Sequence, residues 1–302
     1  MELRDIEYFS VVARHGHLGR AAEALGMSQS ALSKSLRRLE GEMRAKLVKR
    51  TPKGVELTAE GSTLLLRVRQ VQLTLDDVSR EVTDVSQGLA GHLRVAAGPG
   101  HSFWLLPAAC NKLIKDAPNI TLNVRELGRI GVIQALRDGE VDVAITVFRP
   151  SLEEDVMQEP LYDDEYVVCA SADHHLASRK HVTLADVARE QWAQSEPTFA
   201  LWQRMHQVFE ERGLPPPRVA IAAASPTLRL SLIAGSRLLG FTMHSLVRHV
   251  SPQLRLAVLH IKELTLPLRL VVAYRKDGYL SPAARRFIEV LKATAKDIGA
   301  VR

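Results

Sequence analysis

Ser28-Gln-Ser-Ala-Leu-Ser-Lys-Ser-Leu-Arg-Arg-Leu-Glu40 sets groups that can read nucleic-acid bases on one side of a helix and aliphatic groups on the other. Gln29, Ser30, Ser33, Lys34 and Arg37 share the polar face, whereas Leu32, Ser35, Leu36 and Leu39 recur at helical spacing opposite them. Glutamine can pair with adenine in the major groove, Lys or Arg with guanine, and serine with either. The serines are small, so the helix backbone can approach the base edges. Ser28 is the expected N-cap, its hydroxyl accepting an amide of the first turn. A solvated amphipathic helix would carry the same pattern, so the neighbouring elements decide between the two readings.

A second set of polar groups stands at the ends of expected strands. Gly98-Pro-Gly-His-Ser102 follows one strand; Gly100 permits close backbone approach, and Ser102 can cap a helix and donate to an anion. Thr146 ends another strand, Ser195 to Thr198 form a loop with Pro197 between, and Ser225-Pro-Thr227 opens a helix. His101, Phe103 and Met243 are expected to line the walls. In a parallel α/β sheet, ligands bind beyond the carboxyl ends of the strands, so these segments converge if two lobes face each other. For any one hydroxyl, ordinary helix capping explains it equally well.

The base-reading helix needs a frame. Leu18 to Leu25 reads as a short helix with Ala21, Ala22 and Leu25 inward, ended by Gly26. Two short helices joined by a Gly-containing turn form a helix-turn-helix, whose second helix enters the groove. Lys46-Leu-Val-Lys-Arg-Thr-Pro-Lys-Gly-Val-Glu-Leu57 reads as strand, turn and strand tipped by cations, a wing placed to touch phosphate. Leu3 to Arg14 adds a first helix with Leu3, Ile6, Phe9 and Ala13 inward, stopped at His15-Gly16.

From Thr58 to Gln87 runs a long helix, capped by Thr58 and closed by Gly88. Leu64, Val68, Val71, Leu75, Val78, Val82 and Val85 step by four and three residues in turn, an unbroken heptad seam. Roughly 30 residues at about 1.5 Å each give about 45 Å of one-sided helix. Such a seam predicts pairing with a second chain rather than packing within its own domain. Two recognition helices would then read two half-sites.

After Gly88-Leu-Ala-Gly91, strands and helices alternate: His92–Ala97, Ser102–Lys115, Ile120–Arg125, Gly131–Asp138 and Val141–Val147. A second block follows at Tyr166–Ser171, Leu201–Arg212, Arg218–Ala224, Thr227–Ala234 and Leu238–Thr242, then Leu268–Tyr274 and Ser281–Val301. This alternation predicts a parallel sheet covered by helices, an α/β fold.

The net charge of +6 is concentrated: residues 1–58 hold eleven Lys/Arg against seven Asp/Glu. Phosphate contact requires such a distribution, whereas a membrane surface would call for a long basic helix with aromatic anchors. No apolar run reaches membrane-spanning length and the first residues do not form a signal peptide, so the cytoplasm is the expected compartment. Cys110 and Cys169 read as inert core thiols in preference to a redox pair. His174, His175 and His181 read as a polar loop rather than a metal site. No nucleophile elbow, phosphate loop or complete dinucleotide fingerprint occurs, so no catalytic residue, cofactor or metal is expected.

Ala21-Ala-Glu-Ala-Leu25, Ser28-Gln-Ser-Ala-Leu-Ser33, Leu36-Arg-Arg-Leu-Glu40, Leu57-Thr-Ala-Glu-Gly61, Leu136-Arg-Asp-Gly-Glu-Val-Asp-Val-Ala-Ile145 and Ile233-Ala-Gly-Ser-Arg-Leu-Leu-Gly240 together resemble the LysR-type transcriptional regulators over nearly the whole chain. The resemblance implies a winged helix-turn-helix over 1–58, a linker and dimerisation helix over 59–88, and a two-lobed domain like periplasmic binding proteins over 91–302. Lobe I would hold about 91–161 and 268–302, lobe II about 162–267. It further implies base contacts from Gln29, Ser30, Ser33 and Lys34, and backbone or minor-groove contacts from Arg50 and Lys53. An inducer would sit among the hydroxyl-bearing segments, and the chain would form a homodimer or homotetramer, with RNA polymerase a further partner. The sequence departs from the family pattern at His17, Ser30, Arg44 and Val48, where Ser, Pro, Gly and Phe are common.

The leading expectation is an effector-responsive regulator of promoter DNA. An enzyme domain tethered to a DNA-binding module is the alternative, and a solute-binding protein the third. Hydroxyls with few fixed cations suggest an organic anion or a polar aromatic as effector.

Overall fold

The structure, a computed structural model, describes residues 2–52, 54–87, 91–195 and 200–299. The chain divides into two compact units, Met1–Val82 and Thr83–Arg302.

The first unit opens with helices α1 (Leu3–His15), α2 (Leu18–Ala24) and α3 (Gln29–Met43). A wing of β1 (Val48–Thr51) and β2 (Gly54–Leu57) follows, paired antiparallel, then the long helix α4 (Ala59–Gln87). Phe9, Val12, Leu32, Leu36, Leu39 and Leu47 form its core. Val12 takes the inward place expected of Ala13, which is only half-buried. The side chain of Leu3 lies outside the described residues.

Three departures from the family pattern find physical accounts. His17 caps α2 through Nδ1, which accepts from the Gly19 amide at 3.1 Å, so the cap survives the loss of serine. Arg44 adopts a left-handed backbone, φ 50°, at the C-cap of α3, where glycine would be unstrained. Val48 is half-buried against the core. Nothing in the structure explains Ser30 in place of proline. Gly61 is required by packing, since a Cβ there would lie 1.9 Å from the Leu47 carbonyl oxygen.

Thr58 does cap α4: its hydroxyl accepts from the Gly61 amide at 2.9 Å and donates to the Lys46 carbonyl at 2.6 Å. The heptad seam divides. Leu64 and Val68 enter the core of the first unit, whereas Val71, Leu75, Val78, Val82 and Val85 are 48–81% exposed. Gly88 lies outside the described residues.

The second unit is built on β3 (His92–Ala97), α5 (Pro99–Ser102), α6 (Leu105–Asp116), β4 (Thr121–Glu126), α7 (Arg129–Arg137) and β5 (Val143–Val147). Next come β6 (Val156–Ser171), α8 (Leu184–Ala188), β7 (Gln191–Gln194), α9 (Ala200–Glu210), β8 (Arg218–Ala222), α10 (Pro226–Ala234) and β9 (Leu239–Met243). The chain closes with α11 (His244–Leu254), β10 (Leu256–Leu259), β11 (Leu266–Arg275) and α12 (Pro282–Gly299). The strands run β4-β3-β5-β11-β6-β9-β7-β8, with β10 on β6.

The sheet is mixed where the sequence predicted a parallel one. Pairing is parallel at each end, β4-β3-β5 and β9-β7-β8, but β11 and β6 run antiparallel to each other and to their other neighbours. These two long strands cross from one half to the other: β6 pairs with β11 over Val156–Pro160 and Tyr162–Tyr166, and with β9 over Tyr166–Cys169. Leu161 is the extra residue where the register slips opposite Leu270/Val271. Helices α6 and α12 cover one face of the first half with Leu105, Leu113, Phe287 and Leu291, and α7 covers the other with Val132 and Leu136. In the second half, α8 and α9 enclose Trp192, Phe209 and Phe241, while α10 and α11 bring Leu230, Ile233 and Leu246 to the opposite face. Each such aliphatic side chain contributes about 1.5–3 kcal/mol by leaving water.

Candidate functional site

In the first unit the exposed polar face of α3 is set by what holds the helix from behind. Ser28 caps the helix, accepting from the Ala31 amide at 3.2 Å. Behind it, the buried Asp5 carboxylate receives Arg38 through two bonds of 2.6 and 2.8 Å and the Ser35 hydroxyl at 2.5 Å. Arg38 holds that carboxyl below its ordinary pKa. At the far end burial would raise Glu40, but Lys46 at 2.9 Å and the Leu47 and Val48 amides outweigh it, and its pKa falls. Arg38 and Glu40 are therefore structural, and Glu40 ties the wing to the helix.

Gln29, Ser30, Lys34 and Arg37 are left on the exposed face. Ser33 is only half-open: its hydroxyl accepts from Arg50 Nη2 at 3.1 Å and its carbonyl from Arg37 Nε at 3.3 Å. Arg50 thus leans from the wing onto the recognition helix, and Ser33 serves it as an anchor. Lys53 lies outside the described residues.

In the second unit the four hydroxyl-bearing segments do gather, through neighbouring backbones. The Gly98 amide donates to Ile145 O at 3.4 Å, which joins the α5 turn to the strand bearing Thr146. The Ala223 amide donates to Gln194 O at 2.9 Å, which joins Ser195 to the approach to Ser225. Between these pairs α5 packs on α10, and Gly100 faces Met243, whose methyl a Cβ would meet at 2.0 Å. Three of the segments follow strands and Thr146 lies near the carboxyl end of β5, where a cleft at strand ends would place them.

Individual side chains differ from expectation. The predicted helix Ser102–Lys115 breaks at Phe103-Trp104, so Ser102 caps nothing; α6 starts at Leu105, and the Ser102 hydroxyl lies against the Glu126 carboxylate and Pro99 O (3.1 Å). That oxygen is engaged by an anion of the protein itself. Ser225 is a cap, accepting from the Leu228 amide at 3.3 Å with the Thr227 hydroxyl 3.0 Å away. Thr146 and Ser195 are buried, and Phe103 is exposed, edge-on to His249. His101 is buried with its Nδ1 unpartnered among the described residues, and burial pulls its pKa down to about 4. Pro197 and Thr198 lie outside the described residues.

Sequence reading missed Glu126 and Arg229. The first carries no local signal. The second does: it is the one charge in Leu228-Arg-Leu-Ser-Leu-Ile233, an apolar helical run.

Both thiols are buried, and desolvation pushes Cys110 up to about 11 and Cys169 to about 12, as inert core cysteines require. His174, His175 and Glu190 come within metal-binding distance of one another. His174 Nδ1, however, accepts from the Leu176 amide, so its Nε2 carries the proton and faces Arg237 O at 3.2 Å. Binding a metal at Nε2 would set an N–H against an N–H, and that side chain does not fit the role. No helix among the described residues is long and apolar enough to cross a membrane.

The family model described as "LysR substrate binding domain" matches residues 86–296, and "Bacterial regulatory helix-turn-helix protein, lysR family" matches residues 3–62. The HTH-type transcriptional regulator ShiR of Corynebacterium glutamicum (strain R) is 31% identical over 285 residues, 92% of this chain and 94% of that protein. The HTH-type transcriptional regulator AlsR of Bacillus subtilis (strain 168) is 28% identical over 301 residues, 96% of this chain and 95% of its own. Among solved structures, full-length CbnR complexed with its target DNA matches with a TM-score of 0.62 at 21% identity, covering 97% of this chain and all of that one.

Proposed function

The chain belongs to the LysR-type transcriptional regulators, oligomeric DNA-binding proteins that respond to small molecules, and on that premise we propose how its residues divide the work. It is a regulator and not an enzyme. Gln29, Ser30 and Lys34 read bases, Arg37 and Lys53 meet the duplex beside them, and Arg50 positions Ser33 while reaching the backbone. The domain organisation is 1–58, 59–88 and 91–302, with the lobes meeting where the two long strands cross. An effector enters among Gly100, His101, Thr146, Ser195, Ser225, Thr227 and Met243. Its binding biases lobe closure, which requires different affinity in the two states. The exposed stretch of the seam from Val71 onward pairs with a second copy, and the working compartment is the cytoplasm.

The observation that carries the reading is the division of α3: Leu32, Leu36 and Leu39 are buried beneath while Gln29, Ser30, Lys34 and Arg37 stand outward together. The test is fluorescence anisotropy of the full chain on a duplex from its own promoter region against a scrambled one, at fixed salt. Lys34→Ala should lower affinity for the promoter duplex by about 1–3 kcal/mol and leave the scrambled duplex less affected. Equal loss on both duplexes removes the base-reading role.

A further inference from the structure

Arg229 is 7% exposed, in the second turn of α10. Its Nη1 donates to Ala223 O at 2.7 Å and Ala224 O at 3.2 Å, which uses both hydrogens of that nitrogen. Nε and Nη2 donate to none of the described residues and keep contact with solvent, and no ion pair joins Arg229 to a carboxylate there. The nearby Cys169 thiol is neutral, pushed up to about 12, and does not answer the charge. Two carbonyl dipoles do not neutralise a buried guanidinium, and a buried charge without a counter-charge is costly. Among the described residues, Asp142 is answered by Arg94 at 2.6 Å and Asp5 by Arg38 at 2.6 Å.

A second unsatisfied group lies on the neighbouring element. Helix α10 packs on α5, which carries His101, 4% exposed and with Nδ1 unpartnered among the described residues. The neutral ring offers one hydrogen-bonding edge there. Both groups belong to segments that gather at the carboxyl ends of the strands.

The geometry points to an effector that bears a carboxylate, seated fork-on-fork on the Nε and Nη2 edge of Arg229, with a second polar group directed to His101. This deepens the effector reading above and rests on it. A planar anion supplies the missing charge and two acceptors at once; a neutral aromatic supplies neither.

The experiment is thermal unfolding of the full chain at constant ionic strength, with chloride replaced by formate, acetate, glycolate or benzoate. Each salt is compared with its neutral amide, and Arg229→Gln, Arg229→Lys and Thr146→Val run alongside. At least one acid should raise the unfolding midpoint while its amide does not. Arg229→Gln should abolish the shift, and Arg229→Lys, which keeps the charge but loses the paired donors, should leave a smaller one. An amide that matches its acid, a shift retained in Arg229→Gln, or silence from all four acids overturns the proposal. If Arg229→Gln does not fold, the difference between acid and amide on the unaltered chain decides alone. A response to acid and amide alike that Thr146→Val removes overturns the carboxylate and keeps the cleft. An acid-only response that needs Arg229 and ignores Thr146→Val keeps the anion on Arg229 and moves it out of the cleft.

Discussion

In the first unit the buried charges are answered and the surface is left unfinished: Asp5 meets Arg38 and Ser35, Glu40 meets Lys46 and two amides, while the valines of α4 and the polar face of α3 stand in solvent. In the second unit the unanswered groups are inside. Arg229 has carbonyls only, and His101 Nδ1, Trp202 Nε1 and His206 Nε2 are buried without partners among the described residues. Buried polar groups are normally bonded, so each exception asks for a reason. A partner as large as a duplex or a second chain can be met only on the outside. A small molecule can be met within, by groups that the fold leaves unsatisfied.

The seam offers the largest test of this contrast. Val78→Asp with Val82→Asp should abolish self-association, read as a fall in sedimentation mass to that of one chain, because two charges would enter an apolar heptad interface. An unchanged mass would show that the outer surface of α4 is not an interface.

Acid separates the two interiors next. His101 has a folded pKa of about 4 against an ordinary 6.5. Between those values the unfolded chain binds the extra proton, so stability is complete above 6.5 and declines by about 3 kcal/mol as the pH falls to 4. His174 and His206 shift the same way, also through burial. In the first unit Asp5 and Glu40 are lowered carboxylates, whose contribution persists until the pH falls below about 4. All three tryptophans, Trp104, Trp192 and Trp202, lie in the second unit, so their fluorescence reports it alone. The tryptophan-monitored midpoint should drop between pH 6.5 and 4.5, and His101→Asn should flatten that slope. A flat profile in the unaltered chain contradicts a buried neutral His101.

Asp5→Ala gives the smallest of the three effects. It should destabilise the first unit by about 2 kcal/mol, less than for a fully buried pair because Arg38 is half exposed. Denaturant unfolding followed by helical circular dichroism measures it. A loss no greater than for a surface substitution would place Asp5 outside the matched interior.

The first unit was largely legible because its signals are local. The Ser28 cap, the Leu32-Leu36-Leu39 stripe and the wing turn each depend on residues within a few positions, and all appear where expected. Legibility failed where partners are distant in sequence. Asp5 finds Arg38 from 33 residues away, and Arg50 finds Ser33 from 17, so neither pairing could be read from spacing. In the second unit, Tyr166–Ser171 read as a short strand and is the end of a 16-residue one; the first ten residues, rich in acids, carry no strand pattern. Their conformation comes from the ladder with β11 more than a hundred residues onward. The helices α8 and α11 and the strands β7 and β10 likewise escaped the pattern, being short or, for α11, interrupted by Pro252.

The sequence by itself determined the elements of the first unit, the cationic face of α3 and the family, since periodicity, capping and motif spacing act along the chain. Only the tertiary structure decided which polar groups are answered and which are not. That outcome depends on distances between residues far apart in sequence and on exclusion of water, and it is why Ser102 faces Glu126 while Arg229 is met by two backbone carbonyls.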